Sequence, residues 1–197
     1  MAQQAEAVSK RFALRVDEIE GECAISLASR LAQRNGEVRL RSICTHLSLP
    51  IKQLRLGEEG CLRALSKLAD LDLERLRAGT PCQSETKYFD LGRERIKLSA
   101  FLRTTRRVCP LCVQETGMHQ KGIWQLSQIR VCTDHGCLLQ SLPRPKLADD
   151  QLDVATCARQ EPLGPCVAVS KDLLGPCQVV LAVFRGQGLV MLNLSKL

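Results

Sequence analysis

The chain has 197 residues, of which 45% are hydrophobic and only 3% aromatic, and it carries a net charge of +7. That length suits one ordinary domain or two small ones, and so few aromatics leave any core to Leu, Val, Ile and Ala, with small subdomains leaning on metal. The longest apolar run, Val179–Phe184, is far too short to cross a bilayer.

The eleven cysteines read as thiols of a reducing cytoplasm rather than a secreted disulfide scaffold. Their number is odd, and the N-terminal stretch is polar and charged, without the apolar segment of a signal peptide. Residues 1–20 read as a leader, although Phe12, Leu14, Val16 and Ile19 can dock as a strand.

Residues 21–81 are expected to form a helical, helix-turn-helix-like domain. Apolar residues at i, i+3 and i+4 predict helices over about Ala24–Arg34, Leu40–Leu47 and Gly60–Asp70. Asn35-Gly36 stops the first and Ser48-Leu-Pro50 interrupts the second. Asp72 is placed to cap a short fourth helix, Leu73–Arg77.

From residue 82 to 140 the reading is a basic bridge followed by a zinc ribbon. The positive excess is concentrated here: residues 61–108 hold 11 Lys/Arg against 6 Asp/Glu. Arg93, Arg95, Lys97, Arg103, Arg106 and Arg107 are the candidate nucleic-acid contacts, since a phosphate backbone is a natural partner for such a cluster. A merely solvated face would show the same excess. Tyr88-Phe89 and Phe101-Leu102 read as packing between the helices and the ribbon rather than as base-stacking platforms.

The most specific signal is Cys109-x2-Cys112 followed, nineteen residues on, by Cys132-x2-His135. Two close ligand pairs joined by a long return segment are what a tetrahedral structural zinc needs. Pro110 stiffens the first knuckle, and Gly136 supplies a left-handed turn after the second. Trp124 to Val131 alternates apolar and polar residues, as a half-buried strand does. Four protein ligands close the site, so it is read as structural and the protein as a non-enzyme. Cys-x2-Cys redox chemistry lacks its βαβ setting here, and His46 and His119 have no catalytic partners at suggestive spacing.

Residues 141–197 read as a linker, with Leu142-Pro-Arg-Pro145 and Asp149, Asp150 and Asp153, followed by a short cysteine-containing β segment. Two similar pieces, Pro162–Val169 and Leu173–Val180, recur at an interval of eleven. Strands are expected over Val179–Phe184 and Leu189–Leu194, around a turn at Arg185–Gly188. Cys157, Cys166 and Cys177, with Cys137 as a fourth, have no knuckle spacing, so a second zinc is not expected.

Two blocks resemble the TniQ/TnsD family of transposition proteins. Residues 21–36, GECAISLASRLAQRNG, are similar to the family's opening helix, and Arg107-Val-Cys-Pro-Leu-Cys112, Trp124 and Val131-Cys-Thr-Asp-His-Gly136 with Leu138-Leu139 are similar to its zinc finger. Cys23 and Ala24 depart from the family's usual residues, and a second Cys-x2-Cys knuckle is missing. The resemblance implies a target-selection adaptor that does no bond chemistry. Such an adaptor binds DNA or a targeting complex, which is RNA-guided in CRISPR-associated transposons, and recruits an AAA+ ATPase regulator. Homodimerisation is compatible with it and a membrane role is not expected. The alternative is a stand-alone zinc-ribbon/helix-turn-helix transcription regulator reading its own operator.

Overall fold

The computed structural model describes residues 14–37, 39–102, 105–143 and 163–167. Within them the chain is mainly helical, with two small sheets. The expected strands near residues 179–194, the turn between them, and Cys157 and Cys177 lie outside the described residues, as does Arg103.

The first half is a bundle of five helices: α1 (Ala24–Arg34), α2 (Leu40–His46), α3 (Ile51–Arg55), α4 (Glu59–Ala69) and α5 (Leu73–Gly79). Its core is aliphatic: Leu27, Leu31, Leu40, Leu54, Leu62 and Leu65 are all buried, as the helical spacing of the leucines requires. Caps set the later helix starts. The Glu58 carboxylate accepts the N–H of Cys61 at 2.9 Å and the Asp72 carboxylate that of Arg75 at 2.9 Å, as expected for Asp72.

α3 is the addition to the sequence reading. Ser48 turns the chain at φ 55°, and Pro50, with φ −65°, then stands at the N-cap of a new helix instead of ending helical structure. α2 and α3 thus meet at a tight corner and pack, with α4, around α1.

The leader's described part, residues 14–20, forms no strand. It is an extended segment clamped by Asn35, whose amide nitrogen donates to the Leu14 carbonyl at 2.8 Å and whose oxygen accepts the Leu14 N–H at 3.0 Å. Val16 rests on the first core.

The bridge contains a sheet. Three antiparallel strands, β1 (Cys82–Glu85), β2 (Tyr88–Leu91) and β3 (Glu94–Lys97), form a meander in chain order. Phe89, Leu91 and Ile96 point inward, and Phe89 meets Phe101 with ring centroids 5.4 Å apart. Each strand has too few apolar residues to display an alternation, which is why the meander escaped the sequence reading.

A second core gathers Leu91, Ile96, Val108, Trp124, Leu126, Ile129 and Leu142 around the cysteine-rich segment. β4 (Arg107–Val108) pairs antiparallel with β5 (Gln140–Ser141), and α6 (Pro110–Thr116) lies between. The strand expected over Trp124–Val131 is absent. Residues Gly122–Gln125 form a 3-10 turn, and Leu126 and Val131 make only single bridges, to Phe101 and Leu138. Trp124 is buried on one side of a turn, and burial alternation alone does not distinguish that from a strand.

The two cores are joined at a close backbone crossing. The N–H of Gly122 donates to the Gly21 carbonyl at 2.9 Å, and a Cβ at Gly79 would stand 2.5 Å from the Glu22 carbonyl oxygen. Neither Gly79 nor Gly122 has a positive φ; the need for glycine here is space.

Candidate metal centre

Cys109 is the N-cap of α6: the Cys112 N–H donates to its sulfur at 3.4 Å, with Pro110 in the first turn. The first ligand pair is therefore a helix start, and Pro110 acts as expected by fixing the local φ. The second pair lies on a tight loop. The Gly136 N–H donates to the Cys132 carbonyl at 2.9 Å, the Cys132 N–H to the Cys137 carbonyl at 2.8 Å, and Gly136 has φ 61°. Pairing of β4 with β5 carries this loop onto the start of α6.

Cys109, Cys112, Cys132 and His135 converge, their ligand atoms all within 4.8 Å of one another. His135 presents Nδ1, at 3.5 Å from Cys109 Sγ, 3.2 Å from Cys112 Sγ and 3.7 Å from Cys132 Sγ. Cys112 Sγ and Cys132 Sγ are 3.6 Å apart. A tetrahedron with metal–sulfur bonds of about 2.3 Å and a metal–nitrogen bond of about 2.0 Å has edges of about 3.5–3.8 Å. The four separations of 3.2–3.7 Å are close to those edges, and no pair exceeds 4.8 Å, so the set can close around an ion of zinc's size.

The electrostatics of the cluster suit a cation. Burial, and then the neighbouring Cys132, push the Cys112 thiol far up from its ordinary value, so these sulfurs ionise together only with a positive charge among them. On the outer side His135 Nε2 is 3.0 Å from a Glu115 carboxylate oxygen. A carboxylate there fixes the ring so that Nδ1 faces inward. Sequence reading missed Glu115; its position one helical turn beyond Cys112, on α6, was the available signal.

Cys137 is a fourth sulfur, fully buried and 3.3 Å from Cys109 Sγ. It stands outside the tetrahedral set. Lys121 and Asp134 pair across the loop at 2.7 Å.

The candidate nucleic-acid residues separate into two groups. Arg93 and Lys97 are exposed on the meander. Arg95 is occupied by Glu85 and lies over the Tyr88 ring at 4.6 Å. Arg107 is half-buried, its guanidinium donating to the carbonyls of Ile129 at 2.7 Å, Ser127 at 3.4 Å and Leu126 at 3.5 Å. Arg106 is buried, 6% exposed. Arg106 and Arg107 thus face the fold's interior, and among the described candidates Arg93, Lys97 and part of Arg95 face outward.

Two other motif residues gain a role. Glu22, 5% exposed, accepts from Ser26 Oγ at 2.6 Å and from Arg30 at 2.6 Å. Burial raises its carboxyl above the ordinary value, and Arg30 opposes that rise. Ser26 Oγ also accepts the Gln120 N–H at 2.8 Å, while the Cys23 N–H donates to the Gln120 carbonyl at 3.1 Å. The opening helix is thereby hydrogen-bonded to the loop beside the metal ligands.

A helical bundle carrying a Cys3His cluster able to hold a metal ion, with no helix among the described residues long and apolar enough to cross a membrane, defines the class. The chain belongs to the TniQ family: the family model matches residues 13–139, which take in the first core, most of the second and all four ligands. A comparison with curated proteins returned no match. Membership associates the chain with DNA transposition, in a family of adaptors that do no bond chemistry.

Proposed function

We propose that this chain is a target-selection adaptor. It binds DNA or a targeting complex, RNA-guided in CRISPR-associated systems, and recruits an AAA+ ATPase regulator of transposition. The observation that carries this reading is the extent of the family match, which spans the helical bundle and the metal module together. The metal is zinc, on the strength of three thiolates and an imidazole at tetrahedral spacing. Its coordination is filled by protein, which leaves no position for a hydrolytic water and suits a structural role.

DNA contact, in this reading, falls to Arg93 and Lys97, with Arg95 adding to the local field. The test is co-purification of the full chain with an AAA+ ATPase regulator of transposition from the same source, with and without DNA. Retention of the ATPase is expected; failure to associate in both conditions would overturn the adaptor reading.

A further inference from the structure

Residues 163–167, Leu-Gly-Pro-Cys-Val, return to the metal module and are fixed there. Gln140 Nε2 donates to the carbonyls of Gly164 and Pro165, both at 2.9 Å, and the Leu138 N–H donates to the Val167 carbonyl at 2.9 Å. Leu163 packs on the second core. This register sets the exposed Cys166 against the buried Cys137, whose other neighbour is the ligand Cys109. Cys137 thus has two sulfur neighbours, the exposed Cys166 and the metal ligand Cys109. Cys166 does not join the ligands, because the only cluster of metal-binding geometry among the described residues is the Cys3His set.

We propose that Cys137 and Cys166 form an oxidisable clasp, a disulfide that pins residues 163–167 to the metal module while the four ligands remain on the metal. The oxidant is a small disulfide such as glutathione disulfide. The exposed Cys166 thiol attacks it, forming a mixed disulfide and expelling one glutathione thiol. The Cys137 thiol then attacks the Cys166 sulfur and displaces the second glutathione. The two protein thiols lose two electrons, and their two protons end on two glutathione thiols. Cys109 is held back from the exchange by the metal and by the N–H of Cys112.

The intact, metal-loaded chain is incubated with glutathione disulfide and mapped by non-reducing peptide mass spectrometry, with metal content measured in parallel. The main intramolecular link is expected between Cys137 and Cys166, with the metal retained. Cys166→Ser abolishes the link without loss of metal. Gln140→Ala, which removes two of the three bonds fixing the segment, slows linkage about fivefold to tenfold. A Cys109–Cys137 link with loss of metal overturns the proposal. So does recovery of Cys166 only as its glutathione adduct or as the unreacted thiol.

Discussion

Lowering the free zinc concentration should unfold the second core before the first. Binding of structural zinc contributes about 10–16 kcal/mol in small zinc modules at neutral pH, as much as the whole stability of an ordinary domain. Around the site stand Trp124, Val108, Leu126 and Ile129, a small core that must also accommodate three buried thiols and an imidazole if the ion leaves. While the site governs folding, each thousandfold fall in free zinc lowers stability by about 4 kcal/mol. For a chain of this size that corresponds to a drop of about 8–16 °C in melting temperature. The assay is direct, because Trp124 is the single tryptophan and is 1% exposed. Its emission reports the second core, while far-UV circular dichroism follows mainly the helices. In a zinc-buffered chelator series, Trp124 emission should shift to the red at a higher free-zinc level than the one at which helical signal is lost. If the chain gives up its metal and neither Trp124 emission nor the melting temperature moves, the site is not what holds this core together.

Gly122→Ala would drive a Cβ into the Gly79 carbonyl. A loss of about 3 kcal/mol or more is expected in denaturant titrations, and a loss below about 1 kcal/mol would show that the crossing is not tight. Arg107→Lys cannot span the carbonyls of Leu126, Ser127 and Ile129, so it should cost about 1–3 kcal/mol of stability and leave DNA affinity unchanged. Arg93→Ala with Lys97→Ala should do the reverse, weakening DNA binding with the salt slope reduced by about 2 and melting unchanged. His119 has Nδ1 2.8 Å from the Gly117 carbonyl, so that nitrogen carries the proton, while Nε2 is buried without a partner. Burial holds its pKa below the ordinary value. The folded chain therefore takes this proton later than the unfolded chain, and stability is complete above about pH 6.5 and falls as pH drops toward the folded value. Relative to the parent, His119→Phe should gain stability below pH 6.5, at no more than about 1.4 kcal/mol per pH unit. Parallel curves for the two proteins would refute the assignment.

What the sequence made legible was what is local. α1, α4 and α5 lie where their leucine periodicity, Asn35-Gly36 and Asp72 put them, and the ligand spacing alone selected the four residues that converge. The failures share a cause. Ser48-Leu-Pro50 does interrupt α2, but a proline also begins helices, and only packing of Leu54 into the core decides for α3. Trp124 to Val131 has strand-like alternation, yet its backbone partners lie at Ala100, Leu102 and Leu139, distant in sequence, and these hold it in turns. Arg106 and Arg107 look like their neighbours Arg93 and Lys97 as charges. Which guanidinium meets carbonyls and which meets water depends on the β4–β5 pairing that turns the pair inward.

The motif at the start of the match and the metal ligands near its end are parts of one construction. Ser26 sits one turn into α1, with Glu22 just before the helix, and together they fix a loop whose other end carries the second ligand pair. Cys23, Ser26 and Gly21 each bond to Gln120 or Gly122, while Lys121 between them is tied to Asp134, the neighbour of His135. A metal on these ligands would hold 109–135 in the shape that receives the helix, and Glu22 with Arg30 holds the helix in the shape that receives the loop. Loss of either should loosen both halves. On this account Glu22 is buried at an electrostatic cost because its carboxylate organises the joint, aligning Ser26 to accept from Gln120 and anchoring Arg30 over the leader, whose Asp17 carbonyl Arg30 also reaches at 3.0 Å. A partner that grips either the helical bundle or the metal module therefore acts on both, which is what the adaptor role proposed above requires.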